Sequence, residues 1–213
     1  MKLKSILGLA TIALLVANAA PAQNYLLNFD AGLSGSLANA QAPAGLSFHY
    51  GELRPNLDEY GEPIPGSDRW QIDLSAPAVV VVDPNFYGRG NAPSPLNALD
   101  SVFSPTLMLF SNPRDLGSFS LTLDNDTFGT PGLSIEFYAR GPTTDTLLAT
   151  LPIDQLTPGF FASIGAISGV DKIVLPGGAL YDNVGFTVVP EPASGALLGL
   201  GLLALMRRAR RNV

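Results

Sequence analysis

Between Gln23 and Val189 the chain never holds a helical period of apolar residues over ten or more positions, and this limits its fold more than any other feature. What it holds instead is alternation. Ser118-Phe119-Ser120-Leu121-Thr122-Leu123, Ser134-Ile135-Glu136-Phe137-Tyr138 and Gly185-Phe186-Thr187-Val188 place apolar side chains at every second position, the period of a strand with one buried face. Further strands are expected at Tyr25–Phe29, Leu46–Tyr50, Trp70–Asp73, Ala78–Val82, Thr106–Phe110, Leu147–Leu151, Phe160–Ile164 and Asp171–Leu175. Pro-Asn, Asn-Pro, Pro-Gly, Gly-Pro and Gly-Gly pairs interrupt them about every 8 to 15 residues. The pattern predicts an all-β fold, a single antiparallel β-sandwich over residues 23–188. Gly51–Arg69 and Asp83–Ser104 are expected to be long irregular loops, where binding usually resides, although such loops also cover sheet edges.

The two ends differ in kind from this region. Residues 1–22 open with Lys2 and Lys4, continue through an apolar centre at Ile6–Ala17 and close on small residues, the layout of a secretory signal peptide. Cleavage fits after Ala19 or after Ala22; Ala22 is favoured because Pro21 would otherwise sit close behind the cut. An uncleaved anchor is the competing reading, and the apolar centre is short for it, since a bilayer span needs roughly 20 residues.

At the other end, residues 189–213, Val189-Pro190-Glu191-Pro192 precedes the uncharged run Ala193–Met206 and then Arg207-Arg208-Ala209-Arg210-Arg211. Gly195–Met206 has no polar side chain, so a helix there would lack a polar face, and lipid is the solvent that suits it all round. The run falls short of the roughly 20 residues of a full span. Snorkelling of Arg207 and Arg208 and local thinning of the bilayer would close the gap. The arginines place the tail end in the cytoplasm and the body of the chain outside it. A hydrophobic helix docked on the domain is the plainer alternative, and uniform apolarity argues against it.

This order of Pro-Glu-Pro break, Gly/Leu/Ala-rich helix and arginine cluster closely resembles the PEP-CTERM sorting signal of Gram-negative bacteria, over Val189–Val213. The resemblance implies a partner, exosortase, a membrane-embedded cysteine transpeptidase. It would recognise Pro190, Glu191 and Pro192, cleave near them and pass the protein to the cell surface or extracellular matrix. Arg207, Arg208, Arg210 and Arg211 would be the basic stop that holds the inner-membrane intermediate before processing. All of these are substrate features, not catalytic ones.

An exported chain without cysteine cannot use disulfides, so its core must hold it, with a metal ion as the other available support. Residues 23–189 carry six basic side chains (Arg54, Arg69, Arg89, Arg114, Arg140, Lys172) against seventeen acidic ones, a net charge of −11 that the basic ends conceal. Such acidity argues against nucleic acid and anionic surfaces as partners, because phosphate binding needs a basic stripe. It suits neutral glycans or divalent cations.

Three short segments are similar to β-sandwich regions found ahead of many PEP-CTERM tails: Asn28-Phe29-Asp30, Phe119-Ser120-Leu121-Thr122-Leu123-Asp124 and Tyr181-Asp182-Asn183-Val184-Gly185-Phe186. The first and last also resemble galactose-binding-like jelly rolls, which implies a jelly-roll-like sandwich; in that family the first and final strands lie together and often share a structural calcium. By that resemblance Asp30 and Asp182 are candidate Ca²⁺ ligands, the alternative being an ordinary turn-capping aspartate at each place. Asp124-Asn125-Asp126-Thr127-Phe128-Gly129 opens like a calcium loop, but Phe128 stands where an oxygen ligand is wanted and Ile135 takes the twelfth position, so a β-turn explains it better.

Enzymatic readings find little support. His49 is the only histidine and no Gly-x-Ser-x-Gly elbow supplies a nucleophile; His49 reads as an ordinary strand residue. One histidine without cysteine leaves too few preferred ligands for zinc. Seventeen acids always allow some pair at glycosidase separation, so that signal discriminates nothing. Aromatics in or beside the long loops point instead to stacking on sugar faces, with Tyr60, Phe86 and Tyr87 as candidate glycan contacts. Trp70 is expected to fill the core. The expected role is structural or adhesive at the surface or in the matrix, with exopolysaccharide as a partner; the alternatives are a carbohydrate-binding module and a secreted hydrolase.

Overall fold

The computed structural model describes residues 21–83, 97–126, 133–153 and 159–190. Strands β1 (Gln23–Leu27), β2 (Leu46–Arg54), β3 (Arg69–Ile72) and β4 (Val81–Val82) precede β5 (Ala98–Ser101) and the long β6 (Thr106–Asp126). There follow β7 (Leu133–Ala139), β8 (Thr146–Ile153), β9 (Phe161–Ile164), β10 (Ile167–Leu175) and β11 (Ala179–Val189), and one 3-10 turn lies at Ala38–Ala40. The fold is all-β and mostly antiparallel. The main path of the sheet runs β4-β5-β11-β6-β10-β7-β8, with β1 on β11, β2 and β9 on β6, and β3 on β2. Asn24–Val188 form one compact unit. The expected signal peptide lies outside the described residues save Pro21 and Ala22, and the expected tail helix lies outside them altogether. Among the described residues no helix is long and apolar enough to cross a membrane.

The segments Thr106–Phe110 and Ser118–Leu123, expected as separate strands, are parts of β6. Leu109 faces Lys172 and Arg114 faces Val170, so β6 advances five residues while β10 advances two. The surplus falls on exposed Ser111-Asn112-Pro113, and the proline, which has no N–H to give, sits where the ladder is already broken. Further along, Leu116 faces Ile167 and Phe119 faces Ile164, so β9 and β10 follow one another along the same edge of β6. Leu116 and Phe119 are both buried although three residues apart; the inward face therefore changes parity across Gly117-Ser118.

β5 was hidden in the segment expected to be loop. Asn97-Ala98-Leu99-Asp100-Ser101 does not alternate, because Asp100 and Ser101 are buried alongside their apolar neighbours. Asp100 Oδ1 accepts the Val102 N–H at 3.0 Å, and the Ser101 and Thr106 hydroxyls bond at 2.6 Å, which satisfies both internally.

The core is rich in phenylalanine. Phe119 and Phe137 meet edge to face at 5.1 Å between centroids, Phe29 and Phe48 at 5.9 Å, and Phe110 and Phe186 at 5.8 Å. Each such pair contributes about 0.5–1.5 kcal/mol beyond its area burial. Alternation then assigns the other face: Ile135 and Phe137 of β7 and Ile173 of β10 point inward, so Glu136, Tyr138 and Lys172 point the opposite way.

One side chain stands in for a strand. Asn39, in the 3-10 turn, donates from Nδ2 to the Phe48 carbonyl at 3.0 Å and accepts the Phe48 N–H on Oδ1 at 2.6 Å. Asn39→Ala leaves both groups of a buried residue without their partners and is expected to cost about 2 kcal/mol in urea unfolding of the full chain. A change under about 0.5 kcal/mol, the range of an ordinary surface substitution, would show that the clamp is idle.

Candidate functional site

The face of β6, β10 and β7 away from the phenylalanine core carries the most concentrated polar chemistry among the described residues. Lys172 of β10 is flanked by Leu109 of β6 and Tyr138 of β7, and Val174 by Leu107 and Glu136. β3, held on β2 by the pairing of Leu53 with Trp70, supplies a lid to this face. Trp70 Nε1 donates to Glu136 Oε2 at 3.1 Å, and the Tyr138 hydroxyl donates to the same oxygen at 2.7 Å. Lys172 Nζ donates to the Trp70 carbonyl at 2.5 Å and to Asp145 Oδ2, and lies 5.7 Å from the Tyr138 ring centroid. Gly51 allows the close fit beside β3: a Cβ there would stand 2.6 Å from Leu107 Cδ2.

Beneath β3 this arrangement leaves a cleft of about 300 Å³. Arg69–Ile72 and Leu74 wall one side, Leu107, Leu109 and Lys172 the floor, and Arg140 and Asp145 of the β7–β8 connection the end. Lys172 and Asp145 form a buried ion pair, each side chain 4% exposed. Burial pulls the Lys172 pKa below its ordinary value, against the opposing pull of Asp145. Burial, and after it the hydrogen bond to Glu136, pushes the Tyr138 phenol well above 10.0, so it remains a proton donor to Glu136 at neutral pH.

Arg69 and Arg140 also line the cleft, and neither has an ion pair among the described residues. Arg69 Nε and Asp145 Oδ1 are buried and have no hydrogen-bond partner among them. Three of the six basic residues of 23–189 thus meet at one place. None of the three had been expected to form a site, because they stand 32 residues or more apart in sequence, with no motif joining them. Trp70, expected in the core, is half-buried and walls the cleft instead. Its N–H needs a polar partner, and Glu136 on the outward face provides one.

The sequence-predicted residues fall elsewhere. Tyr60 is 82% exposed in a turn where Asp58 Oδ1 accepts the N–H groups of Tyr60 and Glu62, both at 2.9 Å. Phe86 and Tyr87 lie outside the described residues. His49 is half-buried on β2, bonded to the Ser47 hydroxyl at 3.1 Å, and burial lowers its pKa. Asp124–Asp126, expected to open a turn, continue β6.

Asp30 and Asp182 come to the same end of β5. Asp30 Oδ1 accepts the Asn97 N–H at 3.4 Å, and wholly buried Asp182 follows Tyr181, which faces Leu99. Asn183, at φ 48°, turns its Nδ2 to Asp182 Oδ2 at 3.0 Å. Calcium takes six to eight oxygens. Here amide donors address both carboxylates, and among the described residues no group of three or more His, Cys, Asp or Glu is placed to hold a metal.

Pro190 directly follows β11; Glu191, Pro192, Arg207, Arg208, Arg210 and Arg211 lie outside the described residues. The family model of the PEP-CTERM protein-sorting motif matches residues 188–211. The chain carries a PEP-CTERM sorting signal. This signal makes the chain a substrate of exosortase, a membrane enzyme, and so an exported protein processed at its C-terminus. The first two residues of the PEP-CTERM match, Val188 and Val189, are also the last two of β11. No curated protein and no solved structure matches the chain.

Two measurements follow. Lys172→Met alone strands Asp145 as a buried charge and is expected to cost about 3–5 kcal/mol in denaturant unfolding, whereas Lys172→Met with Asp145→Leu should recover most of it. Equal losses in the single and double variants would show that the ion pair is not the source. Chelation with EDTA is expected to leave the melting temperature unchanged. A fall that Ca²⁺ reverses, and that Asp182→Asn abolishes, would establish an ion at Asp30 and Asp182.

Proposed function

We propose that the processed chain is a jelly-roll-like β-sandwich with a structural or adhesive, non-enzymatic role at the cell surface or in the extracellular matrix, in association with exopolysaccharide. The observation that carries this reading is the position of β11. It lies between β5 and β6, also carries β1, and ends at Val189, one residue before the Pro-Glu-Pro sequence. A chain attached through that end has no spacer, and a pull on it enters a strand hydrogen-bonded on both sides. Such a strand can shed load only by shearing several ladders at once.

A carbohydrate-binding module is the second reading, favoured by the Trp70-walled cleft, which combines an aromatic side chain with hydrogen-bonding groups of both kinds. The exposed Tyr60 is a further candidate contact, with Phe86 and Tyr87 as the sequence expects.

Replacing Pro190, Glu191 and Pro192 by alanine should leave unprocessed protein in the membrane fraction and reduce cell attachment and matrix cohesion as far as gene deletion does. Deletion cells that adhere and build matrix normally would refute the structural or adhesive role. Normal processing of the alanine variant would remove the motif from recognition.

A further inference from the structure

We infer that the cleft beneath β3 binds a hexuronate, a pyranose ring bearing a carboxylate. This rests on the carbohydrate-binding reading and names its ligand class. The charge pattern gives the first reason. Residues 23–189 hold seventeen acidic side chains against six basic ones, so arginine has acidic partners in excess, yet Arg69 and Arg140 face the cleft with no ion pair among the described residues. Guanidinium forks without an ion pair among the described residues match a planar carboxylate, which a guanidinium can grip through two parallel N–H groups.

Asp145 gives the second reason. Lys172 holds it through Oδ2, while Oδ1, equally buried, has no donor among the described residues. Lys172 is thereby a positioning residue: its ammonium is engaged with Asp145 and the Trp70 carbonyl, and its contribution is to fix the acceptor. Oδ1 calls for a hydroxyl donor, and Arg69 Nε for an acceptor. A sulfate ion satisfies the arginine alone and is repelled by Asp145. A neutral sugar satisfies Asp145 and leaves the arginines unmatched. A ring with both hydroxyls and a carboxylate meets the two demands together.

The walls agree with a ring. Leu109 and Trp70, both half-buried, offer apolar surface to the C–H face of a pyranose. The volume, about 300 Å³, stands at the lower bound of roughly 300–1,000 Å³ usual for small-molecule sites, which suits one ring rather than a chain of them.

Isothermal titration of the full chain in detergent micelles with D-glucuronate, glucose and sulfate tests the assignment. Glucuronate is expected to bind at least about ten-fold more tightly than either of the others, and Arg140→Gln, a change at an exposed position, should weaken it about ten-fold with no shift in melting temperature. The free acid and the end residue of a uronic acid polymer share this chemistry. A tetragalacturonate bound more tightly than D-galacturonate assigns the polymer, binding of the monomeric acids alone assigns the free acid, and both support the site. Glucose bound as tightly as glucuronate overturns the acidic ligand and leaves the carbohydrate reading standing. Sulfate bound as tightly overturns both, as does the absence of heat with all three.

Discussion

β6 pairs with β2, β9, β10 and β11, so more of the sheet is fastened to it than to any other described strand. With no cysteine in the chain, no covalent cross-link can correct an error of register. A one-residue slip of β6 would turn Phe119, Leu121 and Leu123 away from the core and lose the edge-to-face contact of Phe119 with Phe137. The same slip would move Leu107 and Leu109 off the cleft floor. Core and cleft are therefore two faces of one register, and the apolar burial that stabilises the first also positions the second.

Strands that alternate were legible in the sequence because one face meets the core and the other meets solvent. β7, β9 and the second half of β6 are of this kind. β5 was not, since Asp100 and Ser101 find their partners inside and so break the pattern without breaking the strand. The continuity of β6 was illegible for the opposite reason: Asn112-Pro113 reads as a stop, yet a bulge absorbs it. The sorting motif could be read directly, because it is one short contiguous stretch, matched over residues 188–211. The cleft could not. It joins β3, β6, β10 and the β7–β8 connection, and its ion pair unites positions 145 and 172 only through register.

The acidity of the chain takes on a different meaning once the cleft is seen. A net charge of −11 over residues 23–189 repels polyanions from the surface at long range. At physiological ionic strength that field decays over about 8 Å, whereas a guanidinium lining the cleft acts at contact. A global charge that discourages indiscriminate association with acidic polymers is therefore compatible with the carboxylate ligand we infer. The buried Lys172–Asp145 pair fits this division, for its low exposure makes it a poor source of long-range field and a rigid support for local geometry.

Val188 and Val189 belong both to β11 and to the match of the sorting motif, so the folded domain reaches the edge of the processing signal. A protease or transpeptidase binds its substrate segment extended, and residues paired in a sheet are extended but already occupied. Val189 is 40% exposed at the end of β11, while Phe186, three residues earlier, is buried against Phe110 and stacked on Tyr25 at 4.9 Å. Fraying of Val189 therefore costs little, whereas Val188 packs against the core and fraying past Phe186 would open it. Val189 can thus leave the strand end while the core stays closed, so access at Pro190 is compatible with a body that is already folded.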